Sequence, residues 1–472
     1  MKNTTTLHPF KFRDHQVQAL TEMLTSDVMT VKAPTGSGKS IIFMEDSKRF
    51  AKAGNVIVTV ASRRELCKQH YTEFDSYLKD VEFVDLMVGS YPSTEFKRKN
   101  RRVKVQGTFG TTSTEEIKDR YRKAQKAKLP LYIWSTYDSL NRVIDSGIPI
   151  TVVYFDEAHN AVQSDKHVSV KRISEAGIPR YFFTATPVMT ESRSATSSGM
   201  NNVSVYGEKT FEVSFSEMLE KDYIVRPVPH VQISNAELTN GESPVADYQA
   251  IRETIEYYEE KAPHLNHKVL FCTKGVKAIS AVIDETNLCQ WANSKGYTIL
   301  TTDSTNGSYE NGKQIRDFNK RLKQLGSDEN GKLIILHVAQ VSEGIDVKGL
   351  TGVSFMRGSV SPVYATQAVG RVVRTAKSKE YGFVTVVMHK DDDPEVNQLL
   401  TTLIHSLVSN GIPFEYLKNE IDGKGEEEEV IENILDKTKK LIKDMEIKWQ
   451  HQSIIDQLVE KTEDELLDDL GL

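Results

Sequence analysis

Eight residues, Ala33-Pro-Thr-Gly-Ser-Gly-Lys-Ser40, restrict what this chain can fold into more than any other stretch. They follow the apolar run Val28 to Val31 and precede Ile41-Ile-Phe-Met44, so the order reads strand, glycine-rich loop, helix. Gly36 and Gly38 let backbone N–H groups turn inward, and the helix start adds the positive end of a dipole. Lys39 offers a point charge for the β- and γ-phosphates of a nucleotide, and Ser40 an oxygen for Mg²⁺. Pro34, Thr35 and Ser37 complete the expected cradle. Its one departure from the usual phosphate-loop pattern is Ala33, a small residue at the first glycine position.

A loop of that kind needs a parallel sheet behind it, and the flanking sequence has the right alternation. Asn55 to Ala61 is an apolar strand, and Ser62-Arg-Arg-Glu-Leu66 opens a helix after it. Guanidinium and hydroxyl groups at such strand ends suit the phosphates of a ligand chain, which selects Arg64 and, after the strand Leu131 to Thr136, Thr136. Ile150-Thr-Val-Val-Tyr-Phe-Asp-Glu-Ala-His159 is a further buried strand that delivers two carboxylates at its C-terminal end, where open α/β sheets bind ligands. Asp156 is the expected Mg²⁺ carboxylate and Glu157 the group that polarises the attacking water. Ahead of the loop, a helix over Phe10 to Leu20 is expected to carry Val17, Leu20 and Leu24 on one face, with Arg13 and Gln16 on another and the Gln amide suited to an adenine edge.

Charge is unevenly distributed. The 472 residues carry a net charge of −6, yet the acid is concentrated beyond Glu426, and residues 91–130 are strongly basic. Lys97, Arg98, Arg101 and Arg102 begin that basic segment, which is longer than a strand-to-helix connection requires. It reads as a protruding hairpin around Arg102 to Gly110 and then a helix bearing Lys118, Arg122 and Lys126, an arm along a nucleic-acid backbone. A solvated surface insertion is the alternative. Three cysteines, Cys67, Cys272 and Cys289, are too few and scattered for a disulfide framework or a C-x-x-C metal site. No apolar run approaches a membrane span and no signal peptide is evident, so a cytoplasmic location is expected, in a host cell if the chain is phage-encoded.

Arg180-Tyr-Phe-Phe-Thr-Ala-Thr-Pro187 is another strand, ending in two hydroxyls. Taken in order, Ala33 to Ser40, Asp156-Glu-Ala-His159 and Thr184-Ala-Thr186 resemble motifs I, II and III of superfamily 2 helicases and translocases of the DEAH-box type. The first motif and the run from Ser216 to Pro227 resemble the DNA repair, recombination and type III restriction branch, including phage branch-migration helicases. Ser342-Glu-Gly-Ile-Asp346 and Gln367-Ala-Val-Gly-Arg-Val-Val-Arg374 are similar to motifs V and VI. Where many relatives carry Thr before motif V, this chain has His337, which puts the phosphate grip there in doubt.

The resemblance implies two tandem RecA-like α/β domains, at 1–225 and 226–415, and leaves 416–472 as an acidic helical tail. Residues 226–265 read as a Pro-rich linker with one helix, Tyr248 to Tyr258; Lys268 to Cys272, Tyr297 to Thr301 and Lys332 to His337 read as strands of the second domain. The family assigns Gln367, Arg371 and Arg374 to the γ-phosphate, with both arginines expected on one helical face of the second domain. It assigns Gly344 and Asp346 to the nucleotide, and His159, Thr184 and Thr186 to coupling hydrolysis with movement. An ATP- and Mg²⁺-dependent motor on single-stranded, duplex or branched DNA is the expected function. The same motor on RNA and a non-catalytic ATP-dependent scaffold are the alternatives, and the acidic tail is a candidate docking segment for a protein partner.

Overall fold

Two eight-stranded sheets organise the chain in the computed structural model. It describes residues 11–90 and 110–389, less 186, 190–197, 235–242, 274, 304–306, 339–346, 348 and 357–361, together with Leu407 and Ile412. The expected hairpin over Arg102 to Gly110 lies outside the described residues except for Gly110, and Lys97, Arg98, Arg101, Thr186, Gly344, Asp346 and the acidic tail lie outside them too. The chain passes from one compact unit to the other between Val213 and Ser214.

In the first unit the strands are β1 (Val28–Lys32), β2 (Val56–Ala61), β3 (Val84–Val88), β4 (Gly110–Thr111), β5 (Leu131–Thr136), β6 (Val152–Asp156), β7 (Arg180–Thr184) and β8 (Thr210–Glu212). Their order is β4-β3-β5-β2-β6-β7-β1-β8, and every pairing is parallel. A parallel sheet buries both faces, which is why β2, β5 and β6 are mostly apolar and buried at every position. Aromatic rings fill the space beneath α3 (Arg64–Tyr77): Phe74 meets Trp134 edge-on at 5.5 Å and Tyr132 at 5.9 Å.

Helix α1 (Asp14–Met23) does not bury the face of Val17 and Leu24. Val17 is 49% and Leu24 67% exposed, while His15, Gln16, Ala19 and Met23 are buried. The helix packs on α2 (Lys39–Ser47), and the small Ala19 together with the unbranched Met23 permits close approach. Gln16 is then committed at the phosphate loop. Helix α4 (Thr114–Ala127) forms as expected from the basic segment, but ion pairs Lys118–Glu115 and Lys123–Asp119 neutralise part of its surface. It is tied to β3 by a buried ion pair from Arg120 to Asp85, 2.8 Å long.

The second unit contains β9 (Arg226–Ser234), β10 (Lys268–Thr273), β11 (Tyr297–Asp303), β12 (Gly307–Glu310), β13 (Lys313–Ile315), β14 (Lys332–Val338), β15 (Gly352–Phe355) and β16 (Tyr381–His389). Their order is β13-β12-β11-β14-β10-β15-β16-β9. All pairings are parallel except the β11-β12-β13 meander, whose last hairpin turns on Asn311 and Gly312 at φ 48° and 77°. The expected linker over 226–265 is corrected here: Arg226 to Ser234 is a nine-residue strand. Pro227 and Pro229 are tolerated because β9 is an edge strand, paired only with β16. The helix Pro244–Lys261 lies over the sheet, with Tyr258 stacked on Phe383 at 4.4 Å. A Cβ at Gly352 would meet the Tyr258 ring at 2.3 Å, so only glycine admits that approach.

Both sheets are α/β layers of the RecA-like kind. Among the described residues no helix is long and apolar enough to cross a membrane. Cys67 and Cys272 are buried and Cys289 partly so, all as free thiols.

Candidate functional site

Strand order brings the first-unit motifs to one edge. β7 lies between β1 and β6, so the ends of β1 and β6 are two strand spacings apart, about 10 Å. The Ala33 N–H donates to the Thr184 carbonyl at 3.0 Å, which fixes where the phosphate loop leaves the sheet. Gly36 and Gly38 have φ of 87° and 81°, the left-handed region that other residues rarely enter. A Cβ at Gly38 would also stand 2.5 Å from the Gln16 amide nitrogen. Gln16 Nε2 is 3.5 Å from the Gly38 carbonyl, and Gln16 Oε1 accepts from the Arg13 N–H at 2.9 Å. Of the two residues selected ahead of the loop, Gln16 reaches it, and Arg13 holds the Gln16 amide through its backbone N–H.

Lys39 is 8% exposed, and its ammonium donates to the Ala33 carbonyl at 3.0 Å. Ser40 follows it in the first turn of α2. Asp156 is 7% exposed at the end of β6, where His70 Nε2 stands 2.9 Å from its Oδ2. Burial alone would raise the Asp156 pKa, but the His70 bond and charge, with the charge of Lys39, outweigh it and hold the carboxyl below its ordinary value. For His70, burial acts to lower the pKa, and the hydrogen bond and charge of Asp156 outweigh it in the other direction.

Glu157 takes φ 46°, ψ 57°, a strained conformation for a non-glycine residue, just where the strand gives way to a turn. Asn160 Nδ2 donates to the Glu157 carbonyl at 2.9 Å and lies 3.1 Å from His159 Nε2. An amide nitrogen can only donate, so His159 Nε2 accepts and its proton sits on Nδ1. Nδ1 then faces Thr184 Oγ1 at 3.3 Å and Glu157 Oε2 at 3.5 Å. The His159 pKa is lowered, chiefly by burial, which keeps the ring in that neutral form.

Among the described residues no cluster of three or more His, Cys, Asp or Glu side chains would hold a metal. Mg²⁺ fits nevertheless, because it is usually held by one or two carboxylates together with substrate phosphates and water. An ionised Asp156 and the Ser40 hydroxyl are such hard oxygen donors.

Residues 9–189 match the family described as the res subunit of type III restriction enzymes. Over that stretch the chain resembles the Res branch of the superfamily 2 helicases. It is 21% identical over 403 residues to putative helicase 22 of Sulfolobus islandicus filamentous virus (isolate Iceland/Hveragerdi), covering 82% of this chain and 66% of that protein. Its fold is similar to that of the type ISP restriction-modification enzyme LlaBIII, solved bound to DNA, with TM-score 0.65, 18% identity, 94% of this chain and 33% of that one. It is also similar to S. cerevisiae Dbp5, solved bound to RNA and ADP BeF3, with TM-score 0.51, 15% identity, 91% of this chain and 94% of that one. The chain thus spans about two thirds of the viral relative and one third of LlaBIII.

The remaining helicase positions divide as follows. Arg64 opens α3 and is exposed, with its guanidinium donating to the Ser90 carbonyl. Thr136 ends β5 opposite Ala61, the last residue of β2, so the two candidates for a nucleic-acid backbone share one edge; Thr136 itself is only 6% exposed. In the second unit, Gln367 and Arg371 lie on the helix Pro362–Val372. The expectation that Arg374 shares that helix is corrected. The helix stops at Val372, the Val225 N–H takes the Val373 carbonyl at 2.9 Å, and Arg374 forms an isolated bridge with Ile224. The buried Lys379 ammonium donates to the carbonyls of Val372 and Arg374 and so caps the helix end. Burial, reinforced by the charge of Arg374, pushes the Lys379 pKa down to about 7. His337 is buried at the end of β14, 1% exposed, next to Val338.

His70 and Asn160 escaped the sequence reading. Cys67, His70, Tyr71 and Phe74 follow helical spacing and are all buried, so the imidazole looks like one more member of an apolar stripe. Only the fold brings Asp156 to it.

Proposed function

We propose that this chain is a nucleic-acid-dependent ATPase that turns ATP hydrolysis into movement on DNA, acting on duplex or branched substrates in recombination, repair or replication. The observation that carries the reading is the edge at which a glycine-rich loop, a buried ionised Asp156 and the linked Glu157, His159 and Thr184 converge. In the resting loop Lys39 is held by a backbone carbonyl, an interaction that a phosphate oxygen would replace with a stronger charge-assisted one. Gly36 and Gly38 orient N–H groups toward that phosphate, and Arg13 with Gln16 frame the base.

A divalent cation bound with the nucleotide would neutralise charge on the phosphates. Glu157 orients and activates the attacking water from a left-handed backbone position at the end of β6. Gln367, Arg371 and Arg374 are assigned to the γ-phosphate, where a cation acting in the transition state is worth roughly 10³ to 10⁵ in turnover in other nucleotide hydrolases. The Nδ1–H of His159 carries the state of Glu157 to Thr184, and Arg64 and Thr136 engage the track.

DNA is favoured over RNA by the match to a restriction-enzyme subunit in the ATP-binding half. The test is the ATPase rate of the full chain against single-stranded, duplex, forked and four-way DNA and single-stranded RNA. Stimulation by DNA, greatest for forked or four-way forms, is expected. Stimulation by RNA alone would move the track to RNA, and no stimulation by any polymer would leave an ATP-binding scaffold.

A further inference from the structure

His70 sits in the middle of α3, 2% exposed, and is not part of any motif that the function uses. Its ring meets Phe43 of α2 edge-on, with centroids 5.4 Å apart, so α2 and α3 hold it from two sides. Its Nε2 is 2.9 Å from Asp156 Oδ2. Among the described residues its Nδ1 has no hydrogen-bond partner.

These contacts are directional. An ionised carboxylate only accepts, so the proton of the bond must sit on Nε2. With Nε2 donating, Nδ1 need carry only a lone pair, which costs less to bury unpartnered than an N–H would. The imidazole therefore acts as a single donor to one oxygen of Asp156. Helix α3 begins at Arg64, six residues or about 9 Å before His70, so the seating of the helix sets where the imidazole meets that carboxylate.

We propose that His70 is a positioning residue that orients Asp156 for a divalent cation, and that it thereby ties metal affinity to the seating of α3. This rests on the nucleotide reading of the site. Partners that hold a metal-binding residue from behind commonly alter metal affinity by 10- to 100-fold when removed. The donor need not be histidine, but it must reach Asp156.

The test is Mn²⁺ binding to the ADP-loaded full chain, followed by electron paramagnetic resonance of the free ion, for the parent, His70→Met, His70→Gln and Asp156→Asn. His70→Met fills the space without a donor, and His70→Gln replaces the donor at a similar reach. Mn²⁺ affinity is expected to fall at least tenfold in His70→Met and to recover most of that loss in His70→Gln, with the melting temperatures of both close to the parent. Adding single-stranded DNA should shift Mn²⁺ affinity in the parent and not in His70→Met. Parent-like Mn²⁺ binding by His70→Met, alongside loss in Asp156→Asn, would overturn the proposal and leave the nucleotide site intact. Equal binding by the parent and Asp156→Asn would instead overturn the metal assignment and the proposal with it. Should His70→Met not fold, His70→Phe makes the same comparison; if neither folds while His70→Gln does, the bond is a folding requirement and the positioning role is rejected.

Discussion

The Nδ1 of His159 lies 3.3 Å from the hydroxyl of Thr184, joining the end of β6 to the end of β7. Thr184 is fully buried, and its carbonyl receives the first N–H of the phosphate loop. One residue thus touches both the loop and His159, which in turn borders Glu157. A change at Glu157 has a continuous hydrogen-bonded route to the sheet edge, which is the geometry that coupling requires.

Thr184→Val removes the hydroxyl with little change of volume and leaves the His159 Nδ1 donor with only the longer contact to Glu157. Loss of such a partner costs about 1 to 3 kcal/mol. The expected outcome is ATP hydrolysis within a few-fold of the parent and a much larger ATP consumption per strand displaced. Measuring both in one assay decides the matter, since a parallel fall in the two rates would make the contact catalytic instead of coupling.

Lys39→Ala and Glu157→Gln should fail differently. The first removes the cation of the loop, so ATP turnover is lost. The second retains ATP binding but leaves the water unactivated, so nucleotide and nucleic acid are trapped together. Equilibrium binding of a fluorescent ATP analogue separates them, and weak binding by Glu157→Gln would make Glu157 structural.

Arg371→Ala should lower turnover by orders of magnitude with ATP affinity within about tenfold, because a transition-state cation contributes little to ground-state binding. Single-turnover hydrolysis and binding measured together give the split. A comparable fall in both, with loss of folded protein, would reassign Arg371 to a structural contact.

His267 gives the pH dependence a definite sign. It is fully buried, with Nε2 3.1 Å from the Ala262 carbonyl, and burial pushes its pKa down to about 4. With the folded value below the ordinary 6.5, the unfolded chain binds the extra proton between those limits. The stability this group contributes is whole above pH 6.5, is lost as pH falls, and is fully lost below about pH 4, a change of about 3 kcal/mol. As pH falls from 6.5 toward 4, the denaturation midpoint of the parent should therefore fall relative to that of His267→Gln, whose side chain does not titrate. A difference independent of pH would show that His267 is not titrating.

The basic segment makes a separate prediction from composition. Replacing Lys97, Arg98, Arg101 and Arg102 by Glu should weaken DNA binding across sequences and flatten its salt dependence by roughly 0.7 to 0.9 in log–log slope per lost phosphate contact. Fluorescence anisotropy at several salt concentrations reads both. Unchanged affinity and slope would reduce 91–130 to a solvated insertion.

Some of this molecule is local chemistry and some is not. The phosphate loop was legible because Gly36 and Gly38 need left-handed φ and Lys39 needs a place beside a phosphate, requirements met by neighbouring residues. The buried strands β2, β5, β6, β10 and β14 were legible because a parallel strand is apolar on both faces. Edge elements carry no such mark. β9 with its two prolines passed for a linker, and the β12-β13 hairpin went unnoticed, because an edge strand needs neither continuous apolarity nor every N–H. The buried face of α1 does not follow its apolar residues: His15, Gln16, Ala19 and Met23 are buried and Val17 and Leu24 exposed, because the position of α2 and not local hydrophobicity selects the face. Arg374 leaves the helix because Lys379 and Val225, distant in local pattern, take the carbonyls that would have continued it. The sequence alone therefore determined which groups could bind a nucleotide, and the tertiary structure decided which partners hold them. His70 against Asp156 and His159 against Thr184 are contacts across 86 and 25 residues, and only strand order sets them.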